Sequence, residues 1–497
     1  MDDISRRSFI RWVLGAGAAL ACPFPLGALE PESPKTSLRS EEFAVCHAVR
    51  DGDVMPVSAP DRSCDVVIVG GGPSGLAAAD ELKGTDFYLL EKDAQLGGNC
   101  FSEAWEGLGY STAAAWDSIS DPEFAALAKR WKFDWKQIQG EDTAVYDGVW
   151  VRDFWNGRAD NPALDKLPYS KSIRDGFRAF ARDIEDVDLA KDLQRLDSLT
   201  FASLLKGYPT ELKAFWDAFG PSNWGARTEE TSGYVGLSVA RDWFRTPRFT
   251  WEGGIGIASQ RVLDALPPSA KARLLTRASA YKVARRGKKV WVSFFQDGKP
   301  RTIEARSVVM ATPKFITKHL VAGLPDDQRD AMAAMRYAPF VVYNLCFDRM
   351  VHNKGYDTYP IGAKNFMDII PADWVTHAEG GDPGRKQVLT VYAPQTEASR
   401  SDILDDETMM KMAHAAAEEV TALLPGSVEH LREVRISRRG HAMPMSVPGN
   451  YTKLQPLVRR DLPPIYFAHC DSQGEISDFF YGALTGIAAA QKAVKHL

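Results

Sequence analysis

The sequence predicts an α/β protein: a Rossmann-type sheet assembled discontinuously from separated stretches of chain, accompanied by an α+β domain. Three observations carry this. A β-branched run closes on a glycine-rich turn and a helix at residues 64–82, two glycine turns divide residues 278–313 into three strands, and a last apolar strand and helix occupy residues 465–496. Short β-branched runs bounded by turn residues are the mark of strands buried on both faces. A chain of 497 residues is too long for one compact core, so two domains or one large, elaborated domain is expected.

At the N-terminus, Ser5-Arg6-Arg7-Ser8-Phe9-Ile10-Arg11 precedes the apolar run Trp12 to Ala21. Paired arginines followed by Phe and a short apolar stretch follow the twin-arginine export pattern. The run falls far short of the roughly 20 apolar residues needed to span a bilayer. The expectation is a periplasmic protein whose transient partner is the twin-arginine translocase. Ala19-Leu20-Ala21 offers a cleavage site before Cys22, the same residues resemble a lipoprotein box that would leave the chain lipid-anchored through Cys22, and a cut near Ala28 also fits. These alternatives stay open. Residues 29–62, with Pro31, Pro34, Pro56, Pro60 and many charges, read as a linker.

Cys64-Asp65-Val66-Val67-Ile68-Val69 reads as the first parallel strand, Gly70-Gly71-Gly72-Pro73-Ser74-Gly75 as the turn, and Leu76 to Leu82 as helix. This order suits a dinucleotide: Gly70 for the tight turn, Gly72 for close approach of the pyrophosphate, Gly75 for helix–strand packing. The helix start then offers free N–H groups and its positive dipole end to the phosphates. A second strand, Asp86 to Leu90, ends in Glu91, about 20 residues past the first glycine, where a carboxylate accepts hydrogen bonds from the adenosine ribose. A double glycine follows in Gly97-Gly98-Asn99, able to bring a second backbone segment against the cofactor. The cofactor-binding set read from these motifs is Gly70, Gly72, Ser74, Gly75, Glu91, Gly98 and Asn99.

With that double glycine the sequence resembles the flavin-containing amine oxidase superfamily, which includes monoamine and polyamine oxidases, protoporphyrinogen oxidase and the phytoene desaturases. Further stretches extend the likeness: Thr250-Trp251-Glu252-Gly253-Gly254-Ile255, the helix Ala258 to Leu266, and a β-meander whose strands run from Ala278 to Ala284, Val290 to Phe295 and up to Ser307–Thr312, with turns at Arg286-Gly287 and Asp297-Gly298. At the C-terminus Ile465 to Ala468 reads as strand, and Gly482-Ala483-Leu484-Thr485-Gly486 opens a helix from Ile487 to His496. The resemblance implies FAD as cofactor, bound rather than covalently linked, and adds Ala280, Asp471, Gly482 and Ala483 to the residues around it. It divides the chain into a signal peptide (1–28), a linker (29–62), an FAD-binding domain (63–120, 250–335 and 460–497) and a substrate domain (121–249 and 336–459). Export of a folded protein suits a flavin that must be inserted in the cytoplasm.

Departures from the family pattern supply the catalytic candidates. In the stretch Met335 to Asp348, Tyr343 takes the place of the lysine that many amine oxidases aim at a water near the flavin, which leaves both an oxidase and a dehydrogenase open. Phe479 stands where a tyrosine commonly flanks the flavin, and His441 is the candidate for proton handling. Ten of the thirteen tryptophans lie between Trp105 and Trp251, enough to line a pocket for an apolar or cationic ligand.

Composition limits the alternatives. With 45% hydrophobic residues, 25% charged residues and a net charge of -5, the chain has no nucleic-acid footprint. Its six cysteines show no C-x-x-C spacing and no H-E-x-x-H occurs, so no metal site is indicated, while a Cys46 to Cys64 bridge is left open. One glycine fingerprint leaves no second Rossmann unit for NAD(P)H. Electrons therefore come from a small-molecule substrate and leave to oxygen, a quinone or a cytochrome. The expected reaction is hydride removal beside nitrogen in an amine; C–C desaturation of a lipid or isoprenoid and a non-catalytic flavin-binding interaction protein are the alternatives.

Overall fold

The computed structural model describes residues 34–138, 142–154, 159–377 and 382–497, apart from the side chains of 243–245. The export signal and Cys22 lie outside these residues. A parallel sheet forms the first layer. The strand Arg62–Val69 pairs on one side with Phe87–Leu90 and on the other with the C-terminal half of Lys299–Met310, which also pairs in parallel with Ile465–Phe467. Its central residues, Val66, Val67, Ile68 and Val308, are fully buried, as β-branched side chains covered on both faces should be.

The meander is Ala278–Arg286, Lys289–Gln296 and Lys299–Met310. Gly287, Asp297 and Gly298 all adopt positive φ at its two turns, the conformation that tight hairpins require. The C-terminal helix is Phe479–Lys495, so it starts eight residues before the sequence reading placed it. Asp478 caps it by accepting the Tyr481 N–H at 2.7 Å, and Gly482 and Gly486 lie within the helix, packed on the helix Pro73–Glu81. Close helix–helix approach has overridden the glycines' poor helix propensity.

The second large sheet has eight strands. Its centre is Tyr337–Phe347, paired antiparallel with Gln387–Pro394 and Leu431–Pro444. The helix Asp406–Leu423 packs on one face through Ala413, Ala416 and Val420. The helix Thr210–Trp224 contributes Phe215, Trp216 and Trp224 to a separate aromatic core with Phe154, Phe177 and Tyr359. Among the described residues no helix is long and apolar enough to cross a membrane.

One part of the linker reading is corrected. Lys35–Ser40 is a parallel edge strand on Leu431–Pro444, and Ala44–Arg50 is a helix. The polar run KTSLRS carries no apolar alternation because an edge strand needs only backbone pairing on one side. Cys46 and Cys64 are separate free thiols.

Candidate functional site

The first glycine loop has steric requirements at each end. Gly70 has φ +108°, and a methyl group there would stand 2.5 Å from the Ala311 carbonyl oxygen. A methyl on Gly75 would collide with the Gly70 carbonyl oxygen. Gly72, the residue before the helix Pro73–Glu81, faces only the Gly98 Cα, 3.8 Å from where its own methyl would be. No side chain caps this helix start. A helix N-terminus with unclaimed N–H groups beside an open glycine is an anion cradle.

Glu91 is 7% exposed, and its carboxylate receives the Gly71 N–H at 2.6 Å and the Asp93 N–H at 2.9 Å. Burial pushes its pKa up, with Lys92 working in the opposite direction. Gly97 and Gly98 have positive φ, and Gly98 comes so close to Gly72 that a methyl on it would be 3.0 Å from the Gly72 Cα. The Asn99 amide bonds the Ala442 carbonyl at 2.8 Å, joining this loop to the second sheet. In Ala278–Arg286 the register shifts between Ala280 and Lys282, a bulge beside the Ala280 backbone.

Two helix starts converge here. A methyl on Gly482 would be 3.3 Å from the Pro73 Cβ and 3.4 Å from the Ser74 hydroxyl, and Ser74 faces Thr485 at 3.5 Å. Ala483 is fully buried behind them. Asp471 is 1% exposed and is satisfied within the protein: it accepts from the Lys314 N–H, the Lys314 ammonium and the Tyr337 hydroxyl, each at 2.8 Å, with His469 at 3.1 Å. Burial opposes its charge, yet His469 and then Lys314 hold its pKa well below the usual carboxylate range. Burial likewise opposes His469, but the Asp471 carboxylate followed by Cys470 pushes it up to about 10. His469 achieves this with φ +110°, strained for a side-chain-bearing residue. The residues therefore fit an FAD through the glycine cradle and Glu91, with Asp471 bracing the protein beside it.

The catalytic candidates are relocated. Strand alternation sends Val342 toward Ala115, Ile370 and Tyr392, whereas Tyr343 points to the opposite face, into the core under Asp406–Leu423. Tyr343 is thus remote from the face joined to the cofactor loops, and its hydroxyl finds no partner. Asn344 is the polar residue on the Val342 side; its carbonyl accepts from Thr390 at 2.9 Å. Phe479 is 2% exposed, held in an aromatic cluster by Trp131, Phe133 and Phe480 at ring distances of 5.9, 5.9 and 5.6 Å. His441 stacks on Phe315 at 4.2 Å, and burial, followed by Arg400, pushes it down to about 4. It is a neutral imidazole near pH 7. Of the tryptophans, Trp135 and Trp251 extend the Phe133 cluster, while Trp216 and Trp224 are fully buried core.

The sequence reading missed several buried carboxylates. Asp117 receives the Ser118 N–H at 2.7 Å and the Phe479 N–H at 3.3 Å, and burial raises it to about 7. Asp478 beside it is raised by burial and then by Asp117. On the second sheet, Asp357 bonds Tyr359 at 2.8 Å and lies 3.9 Å from Arg248, which also pairs with Asp142 at 2.7 Å. Burial, then Asp142, raises Asp357 to about 7. No local motif marks these residues, because the groups that bury and couple them, such as Phe479 for Asp117 and Asp142 and Arg248 for Asp357, lie far away in sequence.

The sequence profile of the family described as flavin containing amine oxidoreductase matches residues 73–494. The chain is 22% identical to Oxidoreductase PigB of Serratia sp. (strain ATCC 39006), over 87% of this chain and 75% of that protein. It is 26% identical to the L-amino acid dehydrogenase of Synechocystis sp. (strain ATCC 27184 / PCC 6803 / Kazusa), over 30% of this chain and 34% of that protein. Among solved structures, cyclohexylamine oxidase from Brevibacterium oxydans IH-35A superposes with a TM-score of 0.66 at 16% identity, covering 87% of this chain and 99% of that one. Wild-type putrescine oxidase bound to putrescine gives 0.65 at 16% identity, covering 87% and 98%. At such identities these structures establish the fold: α/β, with a Rossmann-type FAD domain.

Proposed function

This chain belongs to the flavin-containing amine oxidoreductase family, and from that premise we propose that it oxidises an amine at the carbon beside nitrogen, working in the periplasm after twin-arginine export. It is an FAD-dependent oxidoreductase. The observation that carries the amine reading is the family match across residues 73–494, with whole-chain likeness to cyclohexylamine and putrescine oxidases in support. Bound FAD supplies a two-electron acceptor for the substrate's hydride.

The chain's own residues supply binding, orientation and exclusion of water. Asp117, Glu475 and Asp478 gather around the start of the C-terminal helix, where Tyr234 and Tyr481 donate to Glu475 at 3.1 and 2.9 Å. Because burial raises Asp117 and Asp478, they offer this region hydrogen-bonding carboxyl groups rather than two fixed negative charges. No charged acid–base dyad is required if the amine reacts in its neutral form, and the neutral His441 is in keeping with that.

The strand Tyr337–Phe347 contains no lysine on either face. We therefore favour a dehydrogenase that hands electrons to a quinone or cytochrome rather than to oxygen. The test is steady-state turnover of a panel of monoamines, diamines and amino acids with a redox dye under nitrogen, scoring aldehyde or keto product and released amine or ammonia. Dye-dependent product that greatly exceeds air-dependent peroxide is expected. Absence of product from every amine in the panel would contradict the amine assignment.

A further inference from the structure

The N-terminal segment 35–50 pairs along Glu433–Arg438 through its strand and, beyond that edge, makes a series of polar contacts with the cofactor loop. The Arg39 guanidinium bonds Glu103, donates to Gln95 at 2.6 Å and lies 4.0 Å over the Phe101 ring. The Glu42 N–H donates to Asp93 at 2.7 Å, and the Asp93 N–H in turn donates to Glu91. Glu41 lies 3.2 Å from the Lys92 ammonium and 3.9 Å from Arg439, and Arg439 donates to the Gly98 carbonyl at 2.8 Å. Two short routes thus run from the segment into the ribose carboxylate and the second glycine loop. Cys46 and Val49 of the short helix pack into the cluster that holds Leu275 and Ala280. A cavity of about 1050 Å³ separates segment and body, walled by Glu41, Glu42, Lys92, Asp93, Arg277 and Ser279.

We infer that residues 35–50 are a strap that retains the cofactor: docked, it holds the loop 91–101 closed on FAD, and FAD leaves at an appreciable rate only when the strap lifts. Arg39 and Glu41 are its positioning residues. Arg39 acts through Gln95 and Glu103, and Glu41 through Lys92 and Arg439, rather than by touching FAD. The strap's polar composition fits this role. Its hold comes from edge pairing and partly exposed ion pairs, each of which is individually modest, so it can undock without unfolding the core.

The experiment measures FAD release from purified holoenzyme by the recovery of free-flavin fluorescence after dilution. Losing the two partly exposed ion-pair anchors in R39A–E41A should accelerate release about tenfold, with roughly threefold from each single variant. A variant at the distant Lys492–Asp461 pair, K492A, controls for general destabilisation. To avoid any effect on folding, a protease site placed in the exposed stretch around Val54 is cut in the folded holoenzyme and the strap is washed off at high ionic strength. Release should then exceed the tenfold increase while far-UV circular dichroism is unchanged. Release as slow after strap removal as before, or acceleration by K492A equal to that of R39A–E41A, overturns the inference. A native protein purified without any flavin would instead count against FAD binding itself.

Discussion

Replacing Glu91 tests how the cofactor is held. Its carboxylate is the acceptor for two backbone N–H groups, those of Gly71 and Asp93, in a site 7% exposed. In E91A both lose their acceptor, at a cost of about 1–3 kcal/mol for each one that stays buried. That loss is felt by the FAD-free and FAD-bound protein alike, so it lowers stability more than affinity. The affinity loss comes from the ribose hydroxyls, whose hydrogen bonds to a charged acceptor are worth about 1.5–3 kcal/mol, or roughly 10–150-fold in Kd. E91Q keeps one acceptor oxygen but turns an amide toward a backbone donor, so it should fall between native and E91A in both properties. Titration of FAD-free protein with FAD, followed by quenching of flavin fluorescence, measures the Kd, and a thermal melt measures the stability loss. If E91A binds FAD within twofold of the native protein, the assignment of Glu91 to the ribose is wrong.

Further outcomes follow from the same geometry. G75V puts a branched side chain where even a methyl meets the Gly70 carbonyl oxygen, so the variant should purify without flavin or fail to fold; a yellow, native-like G75V would refute the tight turn. His469 is raised from 6.5 to about 10, so its contribution to stability is complete below pH 6.5 and is lost as pH rises through about 10. H469Q should abolish that alkaline loss, on the order of 2–4 kcal/mol in the native protein, in urea unfolding measured from pH 6 to pH 10. Y343F removes a buried, unpartnered hydroxyl on the sheet face away from the cofactor loops. It should leave turnover within twofold and raise Tm or leave it unchanged, whereas a tenfold drop in kcat would return Tyr343 to the active site.

What was legible in the sequence was local. The strand, glycine turn and helix at residues 62–81 and the meander at 278–310 are set by β-branched runs and positive-φ turns, and both formed within a few residues of expectation. Reading failed where a residue's role is set by something distant in the chain. Lys35–Ser40 has no apolar signature, and only its pairing with Glu433–Arg438 makes it a strand. Gly482 and Gly486 look like helix breakers until the helix Pro73–Glu81 is set against them. Tyr343 shows how a two-residue repeat punishes a register slip, since a shift of one position exchanges the site face for the helix-covered face. Asp117 and Asp478 are a pair only in three dimensions, and neither stands in a motif.

Electron transfer from an amine to the flavin is read by an anaerobic titration of the holoenzyme with candidate amines, recording flavin absorbance. At least one amine should bleach the flavin stoichiometrically, with recovery of the oxidised spectrum on adding a quinone or dye. Retention of the oxidised spectrum with every amine, alongside full bleaching by dithionite, would contradict it.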